Sequence, residues 1–353
     1  MNGIKNGLIL FALSGLCWFL SGCVQISMEQ GAEKREADIL DQPMTYQGQI
    51  VLRMAVGEDE GHPSFQAAEY FAEQVGEKTE DRVRIVLDPA AGARPEEDVA
   101  KEICHGSVDL ALVSADSLTS YDQRLIVLEM PFQYLGRDQM WQALDGEAGA
   151  FFLQSMTDKG IRGLCWYDAG ARNIFTVNKA IHTPEDLDQM RIQVNSSAFL
   201  MDVVSAMGAF PMALSDEDRN EALKSGQADG IESDLTSYLE GGCYRYAGYA
   251  ALTEHIRIPQ MMIINQITFD QLGEELGKAV CEAAEASSAY QRELWEKYEK
   301  EQRAALEQAG VVWAAPEDQK AFQEKLWPIY EIYGHSYTDM EVVREKTERG
   351  SIE

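Results

Sequence analysis

Positive charge is scarce in this chain. Its 353 residues carry 30 Lys+Arg against 59 Asp+Glu, a formal net charge of −29. Such a surface repels phosphate backbones and anionic lipid headgroups, so nucleic-acid binding is excluded. Exposed charge is nevertheless screened beyond about 8–10 Å, so a few focused arginines in a cleft can still attract an anion. A phosphate-cradling glycine loop is lacking, and so is a Gly-x-Ser-x-Gly elbow. The six cysteines form no Cys-x-x-Cys and no Cys/His set at zinc spacing. The apolar run at residues 8–20 is shorter than the roughly 20 residues of a comfortable membrane span. These absences leave no positive sign of catalysis, metal or cofactor. A hydrophobic content of 45% and a charged content of 25% are ordinary for a soluble globular protein. The length allows one large domain or two medium ones.

The apolar run ends in Leu20-Ser21-Gly22-Cys23. Small residues before a cysteine resemble a lipoprotein signal, cleaved after Gly22 and lipidated on Cys23. A plain signal peptide or an uncleaved anchor is the alternative; in either case the mature chain is expected outside the cytoplasm. Residues 23–47 lack periodicity and are rich in Gln, Glu and Asp, as expected of a flexible tether. Cys104, Cys165, Cys243 and Cys281 remain. One or two disulfides are open to them, and four buried thiols are the expectation.

From residue 50 onward strands and helices alternate. Residues 50–56, 83–87 and 108–114 read as strands, and 63–78 and 95–105 as helices. The second helix opens with Pro95-Glu96-Glu97-Asp98, acidic residues suited to a helix N-terminus, and stops at Gly106. The pattern recurs. Arg191-Ile192-Gln193-Val194-Asn195 alternates polar and apolar as a strand with one buried face does. Ser196 or Ser197 caps a helix to Met207, residues 211–214 form a strand, and Ser215-Asp216-Glu217-Asp218 opens a helix ending at Gly226. Beyond Asn265 the chain turns helical, with a short strand at 310–313 and a last large helix at 316–333. Alternation of this kind predicts an α/β fold whose ligands sit at the C-terminal ends of the strands.

Several segments resemble one family. Leu164-Cys165-Trp166-Tyr167-Asp168-Ala169-Gly170-Ala171-Arg172 is similar to the "GaR" segment of solute-binding proteins of tripartite ATP-independent periplasmic (TRAP) transporters, the DctP type. His182-Thr183-Pro184-Glu185-Asp186-Leu187 resembles the family's "tPeDLkG" segment, and Ser225-Gly226-Gln227-Ala228-Asp229-Gly230 its "tGvvDG" run. Thr253-Glu254-His255 resembles the strand that follows. The resemblance covers roughly residues 50–313. It implies a two-lobed, periplasmic-binding-protein-like (Venus flytrap) α/β fold with long C-terminal helices bracing both lobes. Lobe I is expected to comprise 48–169 and about 257–300, lobe II 170–256 and about 301–338, and 339–353 a charged tail. It also implies a monomeric receptor, not an enzyme, that captures an organic acid and delivers it to a membrane permease.

The resemblance locates the site as well. Arg172 matches the position that holds the ligand carboxylate, for which a planar, permanently charged guanidinium is suited. The second arginine position of the family is occupied by Gln193, and Arg191 lies one pleat, about 6–7 Å, back along the strand. Ser233 stands where the family has an Asn, beside Glu232, and Asp234 adds negative charge. Asn195, Glu96 and Ser114 complete the expected contacts. A neutral hydrogen bond contributes about 0.5–1.5 kcal/mol where a charged one contributes about 1.5–3 kcal/mol, so these departures predict a less acidic, more hydroxylated ligand: a sugar acid, or else a polyol or neutral sugar. A sensor of the same fold feeding a signalling partner is the other reading. His62 is expected to be solvated, and Trp166 and Tyr167 to pack in the core.

Overall fold

The computed structural model describes residues 44–46 and 48–334. The expected signal at 1–22, the lipid site Cys23 and the tail at 339–353 lie outside them. Among the described residues ten strands form one sheet: β1 (Met44–Tyr46), β2 (Gln49–Ala55), β3 (Val83–Asp88), β4 (Leu110–Ser114), β5 (Ile161–Thr176), β6 (Arg191–Val194), β7 (Phe210–Ala213), β8 (Gly230–Asp234), β9 (Tyr249–Asn265) and β10 (Val312–Ala314). Their order is β1-β2-β4-β9-β5-β8-β6-β7, with β3 beside β2 and β10 beside β9. The tether was expected to reach residue 47. Instead Met44–Tyr46 pair antiparallel with Gln49–Val51, turning through Gly48 at φ +85°.

The helices are α1 (Pro63–Lys78), α2 (Pro89–Gly92), α3 (Glu96–Cys104), α4 (Arg137–Leu144), α5 (Glu147–Gln154), α6 (Ala198–Ala206), α7 (Asp216–Ser225), α8 (Leu235–Glu240), α9 (Gln266–Gln308) and α10 (Gln319–Gly334). Local chemistry sets their ends. Ser197 and Ser215 cap α6 and α7 by accepting from the backbone N–H of Leu200 and Asp218. Gly226 closes α7 in the left-handed conformation that glycine adopts without a Cβ penalty. A capping box stands at Thr183 and Asp186, in the segment read as a family signature.

β5 and β9, of 16 and 17 residues, organise the fold. They run antiparallel with register shifts, one of them between Asp168 and Ala171. Gly170 sits in that bulge at φ +83°. Before the bulge β5 pairs with Pro259–Asn265 of β9, whose outer edge carries β4 and then β2. After it β5 pairs with the first part of β9, and its outer edge carries β8 and then β6. Each half of the ribbon thus holds its own flanking strands, and the result is two lobes joined by a crossed pair of strands.

The apolar residues sort the same way. One pair of clusters is built from β2, β4, α1, α3 and the first half of β5, with Trp166 in one and Tyr167 in the other. The second pair is built from β6, α6, α7, the second half of β5 and α10. Each fully buried Leu, Ile, Val, Phe or Met contributes roughly 1.5–3 kcal/mol. α9 spans both: Val280 and Ala284 lie in the first pair and Leu306 in the second. It also pins the bulge. Gln291 accepts from the Asp168 N–H and donates to the Asp168 carbonyl, while Tyr167 Oη and Ser287 Oγ lie 2.9 Å apart. No disulfide joins Cys104, Cys165, Cys243 and Cys281 to one another. Cys165 and Cys243 are buried as expected, but Cys104, the last residue of α3, and Cys281, at the margin of its apolar cluster, keep partial exposure.

Candidate ligand cleft

A cavity of about 650 Å³ opens beside the crossing. Its floor is the bulge itself, with Ala169, Ile258 and Gln260. The loop from β2 to α1 supplies Glu58, Asp59 and His62, the ends of α3 and β4 supply Glu96 and Ser114, and β8–α8 supplies Asp234, Thr236, Ser237 and Glu240. α9 closes the remaining side with Trp295 and Tyr298. This is the C-terminal end of β2, β4 and β8, where open α/β sheets bind ligands.

His62 is not the solvated residue expected. It caps α1, its Nδ1 accepting from the Ser64 N–H at 3.2 Å. Its ring meets Trp295 and Tyr298 edge-on at 5.4 and 5.3 Å. Burial lowers its pKa, against the opposing charges of Glu58, Glu240, Asp234 and Asp59. An imidazole that accepts at Nδ1 and is held neutral offers Nε2–H as a donor.

Glu96, at the first turn of α3, accepts from the Ser114 N–H at 2.8 Å and from Ser114 Oγ. Ser114 Oγ also lies 2.6 Å from Asp116 Oδ1, and the Asp116 N–H donates to Glu129. Burial pushes the Glu96 carboxyl up to about 7, despite the two bonds from Ser114, with Asp116 and Glu58 adding repulsion. Glu129 is raised well above the ordinary carboxyl range, by burial first and by Asp116 second.

Arg172 directs its fork at Glu232, with Nε and Nη2 at 2.5 and 2.7 Å from the two carboxylate oxygens. Glu232 is buried. Burial works to raise its pKa, but the Arg172 charge and bonds, with His255 Nε2 3.3 Å away, outweigh that and bring it down to about 2. Arg172 is paired across the β5–β8 ladder with Asp234 of the cavity wall. Neither Arg172 nor Glu232 is among the residues lining the cavity.

The remaining expected residues divide. Ser233 is buried on β8 opposite Asn173. Gln193 is buried too, its Nε2 donating to the Leu214 carbonyl and its Oε1 left without a partner. Asn195 Oδ1 accepts from the Ser197 N–H at the entry to α6. Arg191, at the start of β6, is forked onto Asp229 and donates to the Gly226 carbonyl. Of the eight residues, Glu96 and Ser114 line the cavity, and Arg172 with Glu232 forms an ion pair next to its wall residue Asp234 on the β5–β8 ladder. Sequence reasoning missed Glu58, Glu240, Trp295 and Tyr298. The aromatic pair is spaced i, i+3 on α9, a faint signal, since which face of a helix meets a cleft is set by packing.

A two-lobed α/β protein with a polar, aromatic-walled cavity at its strand crossing belongs to the class of extracytoplasmic solute-binding receptors. The chain belongs to the bacterial extracellular solute-binding protein family 7, whose model matches residues 54–336. The family is one of substrate-binding receptors rather than enzymes. The chain is 30% identical over 284 residues to a solute-binding protein of Chromohalobacter salexigens, covering 79% of this chain and 83% of that one. A TRAP periplasmic solute-binding protein of Roseobacter denitrificans, solved with β-D-glucuronate, superposes with a TM-score of 0.77 at 32% identity, covering 84% and 98% of the two chains. One from Sulfitobacter, solved with β-D-galacturonate, gives 0.76 at 29%, covering 83% and 97%. Among the described residues no helix is long and apolar enough to cross a membrane.

Proposed function

We propose that this protein captures a small hydroxylated organic acid of the sugar-acid class in the cleft and delivers it to a TRAP membrane permease. The observation that carries the reading is the pairing of two chemistries at one crossing. The Arg172 guanidinium, with Nε and Nη2 held by Glu232, leaves Nη1 as the donor for one ligand carboxylate, and the neighbouring cavity offers carboxylate and hydroxyl groups that accept from ligand hydroxyls. Trp295 and Tyr298 supply aromatic surface for a sugar ring. Structural neighbours at 32% and 29% identity hold glucuronate and galacturonate. Because Glu232 already occupies the Arg172 fork and Gln193 brings no charge, a single carboxylate fits this site better than two.

In this reading Arg172 contacts the carboxylate, Glu232 orients Arg172, and Glu96 and Ser114 hold hydroxyls. Gln193, Ser233 and Asn195 form the far wall once the lobes close, and Arg191 acts through Asp229 at the rear of its strand. The lobe boundaries fall at the bulge, near 169 and 257, and Cys23 carries the lipid that keeps the receptor at the membrane. Calorimetric titration of the full chain with uronates, aldonates, C4-dicarboxylates and neutral sugars tests the ligand class. Tight binding of succinate or malate without any of a uronate would overturn it. Binding of neutral sugars alone would favour the polyol alternative, for which Gln193 in place of an arginine is the supporting observation.

A further inference from the structure

The cavity wall holds more negative charge than a sugar acid needs. Glu58, Asp59, Asp234 and Glu240 line it, together with Glu96, whose carboxyl is pushed up to about 7, and among the described residues none of its lining groups is Lys or Arg. Some of these carboxylates have internal donors: Glu58 accepts from Gln260, Glu240 from Tyr298, and Asp234 from Ser237. Those donors are neutral; Asp234 also feels the charge of Arg172, its partner across the β5–β8 ladder. His62 is held toward its neutral form by burial.

Aromatic faces occupy the same space. The His62, Trp295 and Tyr298 rings lie 5.3–5.8 Å from one another at steep angles, three walls of a corner rather than a stack. Aromatic walls with carboxylates at the rim are the chemistry that recognises ammonium groups, through the ring quadrupole and charge-assisted hydrogen bonds together. No three of the described His, Cys, Asp or Glu side chains converge closely enough to hold a metal ion. The wall therefore suits a diffuse cation better than a point charge.

We infer that the ligand carries a protonated amine, seated in the corner formed by His62, Trp295 and Tyr298 and facing Glu58, Asp59 and Glu240. The inference rests on the sugar-acid reading for the other end of the molecule, so the ligand is a zwitterion such as an amino sugar acid. Arg172 takes the carboxylate and the acidic corner takes the amine. The cleft then closes over a compensated charge on both sides.

The test is calorimetric titration of the full chain with D-glucuronate, its amino-deoxy derivatives bearing the amine at C2, C3 or C4, their N-acetyl forms, and D-glucosamine. At least one amine is expected to bind about tenfold more tightly than glucuronate, the gain from exchanging a neutral hydrogen bond for a charged one. N-acetylation, which keeps the nitrogen and removes the charge, should abolish that gain. The double variant Asp59→Asn with Glu240→Gln should shrink it. If glucuronate binds as well as every amine, the inference falls and the receptor reading stands. If D-glucosamine binds while no acid does, the amine site is upheld and the acid reading falls. Failure of all of them to bind would overturn both.

Discussion

Replacing Glu96 with Gln tests the electrostatics of the cleft directly. The Glu96 carboxyl is raised from 4.5 to about 7, chiefly by burial. A raised carboxyl favours the native state while it is protonated. That contribution is complete below about pH 4.5 and is lost as the pH rises through 7, because the unfolded chain ionises first. The full shift corresponds to about 3 kcal/mol. Glu96 keeps part of its surface on the cavity, where water screens it, so about 1–3 kcal/mol is the expected range. Urea unfolding of wild type and Glu96→Gln at pH 4.5 and pH 8 reads this out. The variant should gain on the wild type by that amount between the two values. A difference that does not change with pH would refute the argument, since a purely steric effect of the amide has no pH dependence. Ligand binding gives a second readout. Hydroxyl or ammonium donors to Glu96 favour its ionised form, so binding near pH 7 should release a fraction of a proton. Titrations in buffers of differing ionisation enthalpy measure it, and the Gln variant should release less.

Glu232 behaves in the opposite sense: its carboxyl is depressed to about 2, so the stability it confers is present above about pH 4.5 and lost as the pH falls through 2. Acid titration of the native state should show this loss, and Arg172→Met with Glu232→Gln should remove it. Arg172→Ala alone should cost about 3–5 kcal/mol by leaving Glu232 buried without its partner, visible as a lowered urea midpoint, and should abolish binding of a carboxylate ligand. Gly170→Ala puts a Cβ at φ +83°, 3.2 Å from Trp295 Cζ2, and should lose about 1–2 kcal/mol while perturbing the Trp295 fluorescence. Tyr298→Phe removes the hydroxyl that donates to Glu240, and ligand affinity should change while the unfolding midpoint moves by about 1 kcal/mol or less.

The sequence alone determined the elements whose signals are local. The N-cap of α6 is Ser197 and Ser215 and Gly226 cap the two ends of α7, because caps and stop glycines are written in adjacent residues; β6 buries Ile192 and Val194 as their letters require, but Gln193 between them is buried as well. The family signatures carried the fold class and pointed to Arg172. What they left undecided are contacts between residues far apart in the chain. Met44–Tyr46 become a strand because β2 offers them a free edge, which their composition does not announce. Arg191 could have pointed into the cleft, but Asp229, 38 residues away, sits where its fork can be satisfied. The cavity took its wall from His62, Glu240 and Tyr298 because the bulge at Gly170 and the length of α9 bring three distant segments together. A single side chain's chemistry can be read from its letter. Whether it meets solvent, ligand or a counter-charge depends on how the two lobes fold around the crossed strands.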